Sequence, residues 1–154
     1  MTLKSQPVSI VSELTGRTSA AMSAEVRPQV TGIIQKRLFN EGDNVKAGQP
    51  LYHIEPDCFR AAYNETAAAL KQAQALVAAD CAKAQRYAQL VKENGVSRQD
   101  ADDAASTCAQ DRASVESKKA AQDSARINLN WTTITAPIAG RIGISSVTPG
   151  ALVS

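Results

Sequence analysis

The feature that most constrains the fold is a long run, from Cys58 to Asn130, that contains no proline and only one glycine, Gly95. The chain has eight glycines and six prolines, so almost all of these residues lie outside the run. Both residue types interrupt helices, and the run is rich in Ala, Gln, Lys, Arg, Asp and Glu, most of which favour them. The run therefore predicts long helices that are broken once, near the middle.

Apolar and small side chains recur along this run in alternating steps of three and four residues, with a gap at Asp80. That spacing is typical of a coiled-coil seam. A weaker series follows Gly95 and is interrupted by Asp111, Lys118 and Gln122; polar residues in a seam lower stability but can fix the register. The first series comprises Tyr63, Thr66, Leu70, Ala73, Val77, Ala84, Tyr87 and Val91, and the second comprises Ala101, Ala104, Cys108, Val115, Ala125 and Leu129.

The residues around Gly95 carry signals that end one helix and begin another. We expect Gly95 to take the left-handed conformation that terminates a helix. Ser97 suits the N-cap of the next helix, with Asp100 three residues later, and Asp102 and Asp103 add the negative charge that a helix start favours. The sequence thus predicts two antiparallel helices of roughly 35 residues, each about 50 Å long. One continuous helix with an incidental glycine is the alternative.

The segments that flank the helical run resemble each other. Residues 25–56 and 132–153 have the composition of short strands separated by turns. Neither segment could bury its apolar face alone, so we expect them to pack face to face with the helical hairpin inserted between them. The fold class is therefore α+β, an all-β domain interrupted by a long antiparallel helical hairpin. Val30, Gly32, Ile34, Gly42 and Val45 recur 108 positions later as Ile138, Gly140, Ile142, Gly150 and Val153.

Composition argues against several classes of function. The net charge is +2 with both signs interspersed, which gives no indication of nucleic-acid binding. No stretch reaches the ~18 apolar residues of a membrane helix, and the start of the chain has no apolar signal core. The chain stops just after a strand-like run, and we interpret it as a fragment.

The sequence also gives no indication of an enzyme, a metal site or a cofactor. No Ser/His/Asp set, phosphate-binding glycine loop or pair of catalytic carboxylates is present. The single histidine, His53, has no cysteine at zinc-ligand spacing and is expected to be a surface or packing residue.

Two segments carry a family resemblance: AEVRPQVTGIIQKRLFNEGDNVKAGQPLYHIEP and ARINLNWTTITAPIAGRIGISSVTPGALV. They resemble the periplasmic adaptor proteins, or membrane fusion proteins, of tripartite multidrug efflux pumps of the RND (resistance–nodulation–division), AcrA/MexA type. The resemblance implies a periplasmic protein, associated with the inner membrane when full-length. Its implied partners are an inner-membrane RND transporter, a TolC-like outer-membrane channel and further copies in a hexameric ring.

The resemblance also implies a domain division. Residues 24–56 and 131–154 would be the halves of a lipoyl-like barrel-sandwich domain, 57–130 the α-helical hairpin, and 1–23 a partial β-barrel strand or linker. Most of the β-barrel and the membrane-proximal domain would be absent, as would the signal and lipid anchor. The lipoyl-like domain would depend structurally on Gly32, Gly42, Pro137, Gly140 and Gly150.

In such adaptors the hairpin tip docks onto the channel through an arginine, a leucine four residues on and a serine seven further. Arg86, Leu90 and Ser97 match that spacing. Arg86 could donate hydrogen bonds to a partner's carbonyls or carboxylates, and Leu90 offers an apolar contact. Without the resemblance, their positions indicate only that Arg86 is a solvated residue, Leu90 a residue of the helix seam and Ser97 a helix N-cap. The tip is completed by Lys92, Glu93, Asn94, Gly95 and Val96.

Cysteine positions suggest a link between the two helices. Cys81 and Cys108 face each other across the predicted turn, offset by about 4–5 Å along the axis. That offset is near disulfide reach, and the periplasm implied by the resemblance would preserve the bond. We hypothesise a Cys81–Cys108 disulfide, with two free thiols as the alternative, and expect Cys58 to be a partly buried small residue.

Other functions share some of these sequence features. A lipoyl or biotinyl carrier needs a modifiable lysine in an exposed turn, whereas here the hairpin replaces that turn and Lys71 and Lys92 lie within it, so carrier function is not expected. The remaining alternatives are an adaptor for an ABC-type exporter or a type I secretion system, and a purely structural coiled-coil spacer.

Overall fold

A computed structural model describes residues 4, 5, 7, 9 and 11–154 of the chain. The predicted fold class is confirmed, because six short strands form a β region that is interrupted by two long helices packed along each other. The alternative of one continuous helix is therefore wrong. The elements are β1 (Gly32–Arg37), β2 (Asn44–Val45), β3 (Pro50–Ile54), α1 (Asp57–Leu90), a 3-10 turn (Val91–Glu93), α2 (Arg98–Asn130), β4 (Thr133–Thr135), β5 (Gly140–Arg141) and β6 (Leu152–Val153).

The strands form two antiparallel sheets that each combine both flanking segments. The larger sheet has the order β4-β3-β1-β6, and the smaller sheet pairs β2 with β5. Strands β1, β2 and β3 precede the hairpin, whereas β4, β5 and β6 follow it. Neither half of the β region could therefore form either sheet alone.

The 108-residue repeat in the sequence corresponds to a reciprocal exchange of strand pairings. Gly32 pairs with Val153, and its repeat equivalent Gly140 pairs with Val45, the repeat equivalent of Val153. The hydrogen bonds repeat as well: the Ile34 N–H donates to the Ala151 carbonyl at 2.9 Å, and the N–H of Ile142, 108 positions on, donates to the Asp43 carbonyl at 2.9 Å. Each half thus uses the other's strand to complete its own pairing.

A small apolar core lies inside this β region. Ile34, Leu51 and Ile54 are its fully buried large side chains. The rings of Phe39 and Tyr52 meet edge to face, with centroids 5.2 Å apart, which is a favourable aromatic geometry. Since the two halves contribute strands on both sides of the core, its burial depends on their association.

The glycines expected to be structural serve different purposes. Gly42 and its repeat equivalent Gly150 both have left-handed backbone conformations, with φ of +87° and +89°. Gly32 instead allows a close approach, because a Cβ there would collide with the Ile54 side chain. Gly140, the repeat equivalent of Gly32, faces open space. Pro137 lies exposed in the bend before β5.

The two helices pack through the seam that the spacing predicts. Helix α1 has 34 residues and α2 has 33, and their buried members are Ala73, Ala104 and Cys108. The other apolar positions of both predicted series are half-buried. Lys118, expected in the seam, is exposed, because its long side chain reaches solvent from the edge of the interface.

The segment 1–23, expected to hold a partial barrel strand, contains no strand among its described residues. Residues 1–3, 6, 8 and 10 lie outside the described part of the chain. A strand requires a neighbour that pairs with its backbone, and the described residues provide none for 11–23.

Candidate functional site: the hairpin tip

The end of α1 at the tip is closed by a Schellman motif. The Gly95 N–H donates to the Leu90 carbonyl at 2.8 Å, and the Asn94 N–H donates to the Val91 carbonyl at 3.2 Å. These two bonds satisfy carbonyls that a helix end leaves without partners. The backbone of the tip is therefore held by its own hydrogen bonds.

The left-handed residue of this motif is Asn94, with φ of +54°, and not Gly95 as expected. Asparagine is the residue other than glycine that most readily occupies this region, since its short polar side chain reduces the steric cost. Gly95 serves instead as a close-packed position, because a Cβ there would lie 3.4 Å from Leu90 Cδ2.

The start of α2 is capped as the sequence predicts. Ser97 has an extended backbone, and its Oγ accepts a hydrogen bond from the Asp100 N–H at 3.1 Å. The Ser97 hydroxyl also donates to Asp100 Oδ2 at 2.6 Å. The cap fixes where α2 begins relative to the end of α1.

Between these two fixed helix ends, the tip presents both polar and apolar side chains. Leu90 is 39% exposed although it packs on Gly95, and Arg86, one helical turn earlier, is exposed. Within the described residues the Arg86 guanidinium forms no ion pair. Of the turn itself, Lys92, Glu93, Asn94 and Gly95 are exposed and Val96 is half-buried. The tip therefore offers free donors beside an apolar side chain.

Below the tip, the structure joins Cys81 of α1 and Cys108 of α2 as a disulfide, with Cα atoms 4.8 Å apart. The bond closes a loop that contains the whole tip. Cys58 is free and exposed, so the expected partial burial of that residue is wrong. It lies in the first turn of α1.

Two acidic residues meet across the seam beside this disulfide, a pairing that the sequence analysis did not identify. Asp80 precedes Cys81, and Asp111 lies one turn after Cys108. Burial is the main cause that raises the pKa of Asp111, and the neighbouring Asp80 carboxyl group raises it further. The register that places the two cysteines opposite each other also places these carboxyl groups together and could have revealed them.

His53 has a structural position in the β region. It lies in β3 opposite Thr133 of β4, and its Nδ1 is 3.2 Å from the threonine Oγ1. Among the described residues, no three histidine, cysteine or acidic side chains come together as metal ligands. In the same part of the chain, no helix combines the length and apolarity needed to cross a lipid bilayer.

Comparison with known proteins places these features in a family. Residues 22–154 match the family described as RND MFP, barrel-sandwich hybrid domain. The chain is 46% identical over 153 residues to the multidrug efflux pump subunit AcrA of Escherichia coli K12, covering 99% of this chain and 38% of AcrA. It is 49% identical over 154 residues to the antibiotic efflux pump periplasmic linker protein ArpA of Pseudomonas putida, covering 100% of this chain and 38% of ArpA.

A solved structure shares the fold. The crystal structure of MacA from Actinobacillus actinomycetemcomitans covers 87% of this chain and 46% of its own, with a TM-score of 0.75 and 24% identity. The chain spans less than half the length of each of these proteins. The resemblance to AcrA-type adaptors is confirmed, and the chain belongs to the barrel-sandwich hybrid domain family of RND membrane fusion proteins.

Proposed function

We propose that this chain is part of a periplasmic adaptor that bridges an inner-membrane RND transporter and a TolC-like outer-membrane channel in a multidrug efflux pump. The observation that carries the proposal is the close similarity over the whole chain to a multidrug efflux pump subunit and a periplasmic linker. Both are named as pump components rather than enzymes, and the role of this chain is structural. A disulfide within the hairpin fits an oxidising compartment such as the periplasm.

In this proposal the hairpin tip is the surface that meets the channel. The Schellman motif and the Ser97 cap hold the turn in one conformation, so little conformational entropy is lost when it docks. Arg86 supplies a guanidinium for carbonyls or carboxylates at the ends of the channel's helices, and Leu90 inserts an apolar side chain beside it. Ser97 and the turn residues from Lys92 to Val96 line the rest of the contact.

The β region has a different role in this proposal. Residues 24–56 and 131–154 form the lipoyl-like domain, which packs against its copies in a hexameric ring, and residues 57–130 project from it as the hairpin. Residues 1–23 link this unit to a neighbouring β-barrel. The match to the RND branch of membrane fusion proteins favours an RND transporter over an ATP-driven exporter or a type I secretion system.

Charge reversal at the tip tests the docking proposal. In cells that produce the natural protein, Arg86→Glu should lower drug resistance several-fold and abolish crosslinking between the turn and the outer-membrane channel. Arg112→Glu is the matched control, because Arg112 is also exposed on the hairpin but lies away from the tip. It should leave both measurements unchanged at equal protein level.

The outcome separates docking from a spacer role. If Arg86→Glu and Leu90→Ser retain full resistance, and photo-crosslinkers at positions 92 to 96 capture no outer-membrane channel, the hairpin is a structural spacer. Capture of an ATP-driven exporter by the full protein would instead assign the chain to the other class of adaptor.

A further inference from the structure

The seam of the hairpin contains an unusual combination of a covalent bond and a like-charged pair. The Cys81–Cys108 disulfide and the facing residues Asp80 and Asp111 occupy neighbouring positions on both helices. Elsewhere the seam is formed by alanine and other apolar side chains, and its most buried members, Ala73, Ala104 and Cys108, are small. The acidic pair therefore interrupts an otherwise apolar interface.

The Asp111 carboxyl group is partly shielded from water. Although the Asp111 side chain as a whole is half-buried, its Oδ2 atom is covered and accepts no hydrogen bond from the described residues. A buried oxygen without a partner is costly, and two neighbouring ionised carboxylates repel each other. A proton shared between the two groups would remove the repulsion and give the covered oxygen a partner.

In the part of the chain that the structure describes, no cation forms an ion pair with either carboxyl group. Lys83 and Tyr87 of α1 and Asp100 and Asp103 of α2 line the same surface hollow as Asp80. The Lys83 ammonium lies over the Tyr87 ring, 5.4 Å from its centroid, and within the described residues neither Asp80 nor Asp111 forms an ion pair. Arg112 follows Asp111 but borders a different hollow, with Gln74 and Glu116.

We propose that the Cys81–Cys108 disulfide is a clamp that keeps the hairpin closed against the Asp80–Asp111 repulsion, so that the seam needs the disulfide at neutral pH but not at acidic pH. Separation of the helices would let water hydrate both carboxylates, and the disulfide prevents that separation. Once the two carboxyl groups share one proton, the closed seam is stable without the disulfide.

The direction of the pH effect follows from proton linkage. The closed seam holds the Asp111 proton more tightly than an open, hydrated seam, because burial and Asp80 raise its pKa. The closed state therefore loses stability relative to the open state as pH rises from the ordinary Asp value of about 4 towards the raised value. Below that window the pair imposes no penalty, and above it the penalty is constant.

Hydrogen exchange of the backbone amides in the seam tests the proposal. Protection factors, corrected for the intrinsic exchange rate at each pH, are measured between about pH 4 and pH 7.5 in the whole protein. The comparison is between the oxidised protein and the double variant Cys81→Ser, Cys108→Ser, which contains no thiol at these positions that could titrate. In the double variant, protection near residues 77–84 and 104–115 should fall by up to about tenfold per pH unit within the window.

The oxidised protein should show little change in protection over the same range. Adding Asp111→Asn to the double serine variant should remove the pH dependence, because the amide carries no charge and can donate to Asp80. Asp102→Asn is the matched control: it removes one charge from an exposed position on the same helix and should leave the dependence intact.

Two results would overturn the proposal. One is a parallel pH dependence in the oxidised protein and the double serine variant, and the other is a dependence that survives Asp111→Asn. If the double serine variant is unfolded at neutral pH, acidification or Asp111→Asn must restore its helix content, as followed by circular dichroism. Failure of both to do so would equally exclude the clamp. None of these measurements depends on docking or drug export.

Discussion

Replacing Gly32 by alanine should destabilise the β region, whereas the same replacement at its repeat equivalent, Gly140, should not. A Cβ at position 32 collides with Cγ2 of Ile54, a fully buried residue. Ile54 is β-branched and has few alternative rotamers, so β1 must shift away from β3 to relieve the contact. At position 140 the same atom meets open space.

The magnitude of the effect follows from comparing the two variants. Neither glycine has a left-handed φ, so alanine introduces no backbone strain at either site. Both replacements reduce the conformational entropy of the unfolded chain, which stabilises by about 0.4–1 kcal/mol and cancels in the comparison. The remaining difference is the overpacking cost at position 32, about 1–3 kcal/mol. Gly32→Ala should therefore unfold at a Tm about 2–12 °C below that of Gly140→Ala.

Tryptophan fluorescence provides a suitable assay. Trp131, the only tryptophan of the chain, lies between α2 and β4 and reports on the β region, while far-UV circular dichroism follows mainly the helices. In a double-mutant cycle, Ile54→Ala should recover part of the loss caused by Gly32→Ala, since it removes the colliding atom. A Gly140→Ala variant that is as unstable as Gly32→Ala, or strictly additive effects in the cycle, would refute the reasoning.

Three further predictions concern the hairpin, each measured by urea unfolding followed by circular dichroism. Ser97→Ala removes the cap bond to the N–H three residues on and should cost about 1 kcal/mol, whereas Ser106→Ala, at an exposed position within α2, should have little effect. Replacing Cys81 and Cys108 by serine removes a crosslink of sequence separation 27 and should lower the free energy of unfolding at neutral pH by about 3–4 kcal/mol. An unchanged urea midpoint would show that the disulfide does not constrain the unfolded chain. Asn94→Ala places alanine at a φ of +54° and should cost about 1–2 kcal/mol, while Asn94→Gly should be neutral or stabilising; the reverse order would contradict the assigned turn.

The hairpin could be predicted from the sequence because its signals are local. The near absence of glycine and proline, the spacing of apolar residues along the seam and the Ser97 cap each depend on residues that are a few positions apart. The exact conformation of the turn was harder to predict, because Asn94 and Gly95 both tolerate a left-handed backbone and lie next to each other. Propensity alone favoured the glycine and assigned the role to the wrong residue.

The sequence predicted that the two flanking segments form one β region, but it did not predict which strands pair with each other. The 108-residue repeat indicated two related halves, yet the repeat alone is equally consistent with two hairpins stacked face to face. The observed exchange joins residues such as Gly32 and Val153, which are more than a hundred positions apart. Such pairings depend on packing of the assembled halves, and no local signal records them.

The attachment of the hairpin to the β region has a mechanical consequence. Helix α1 leaves β3 and α2 enters β4, and these two strands are neighbours in one sheet. The points where the two helices join the sheet are therefore about 5 Å apart by strand spacing, while each helix extends for about 50 Å. A displacement of 1 Å of one anchor along its strand would swing the far end sideways by roughly ten times as much, by this ratio of lengths. The helical hairpin thus acts as a lever that pivots at the β3–β4 pair, so a small slip between these two strands becomes a large sideways movement of the hairpin tip.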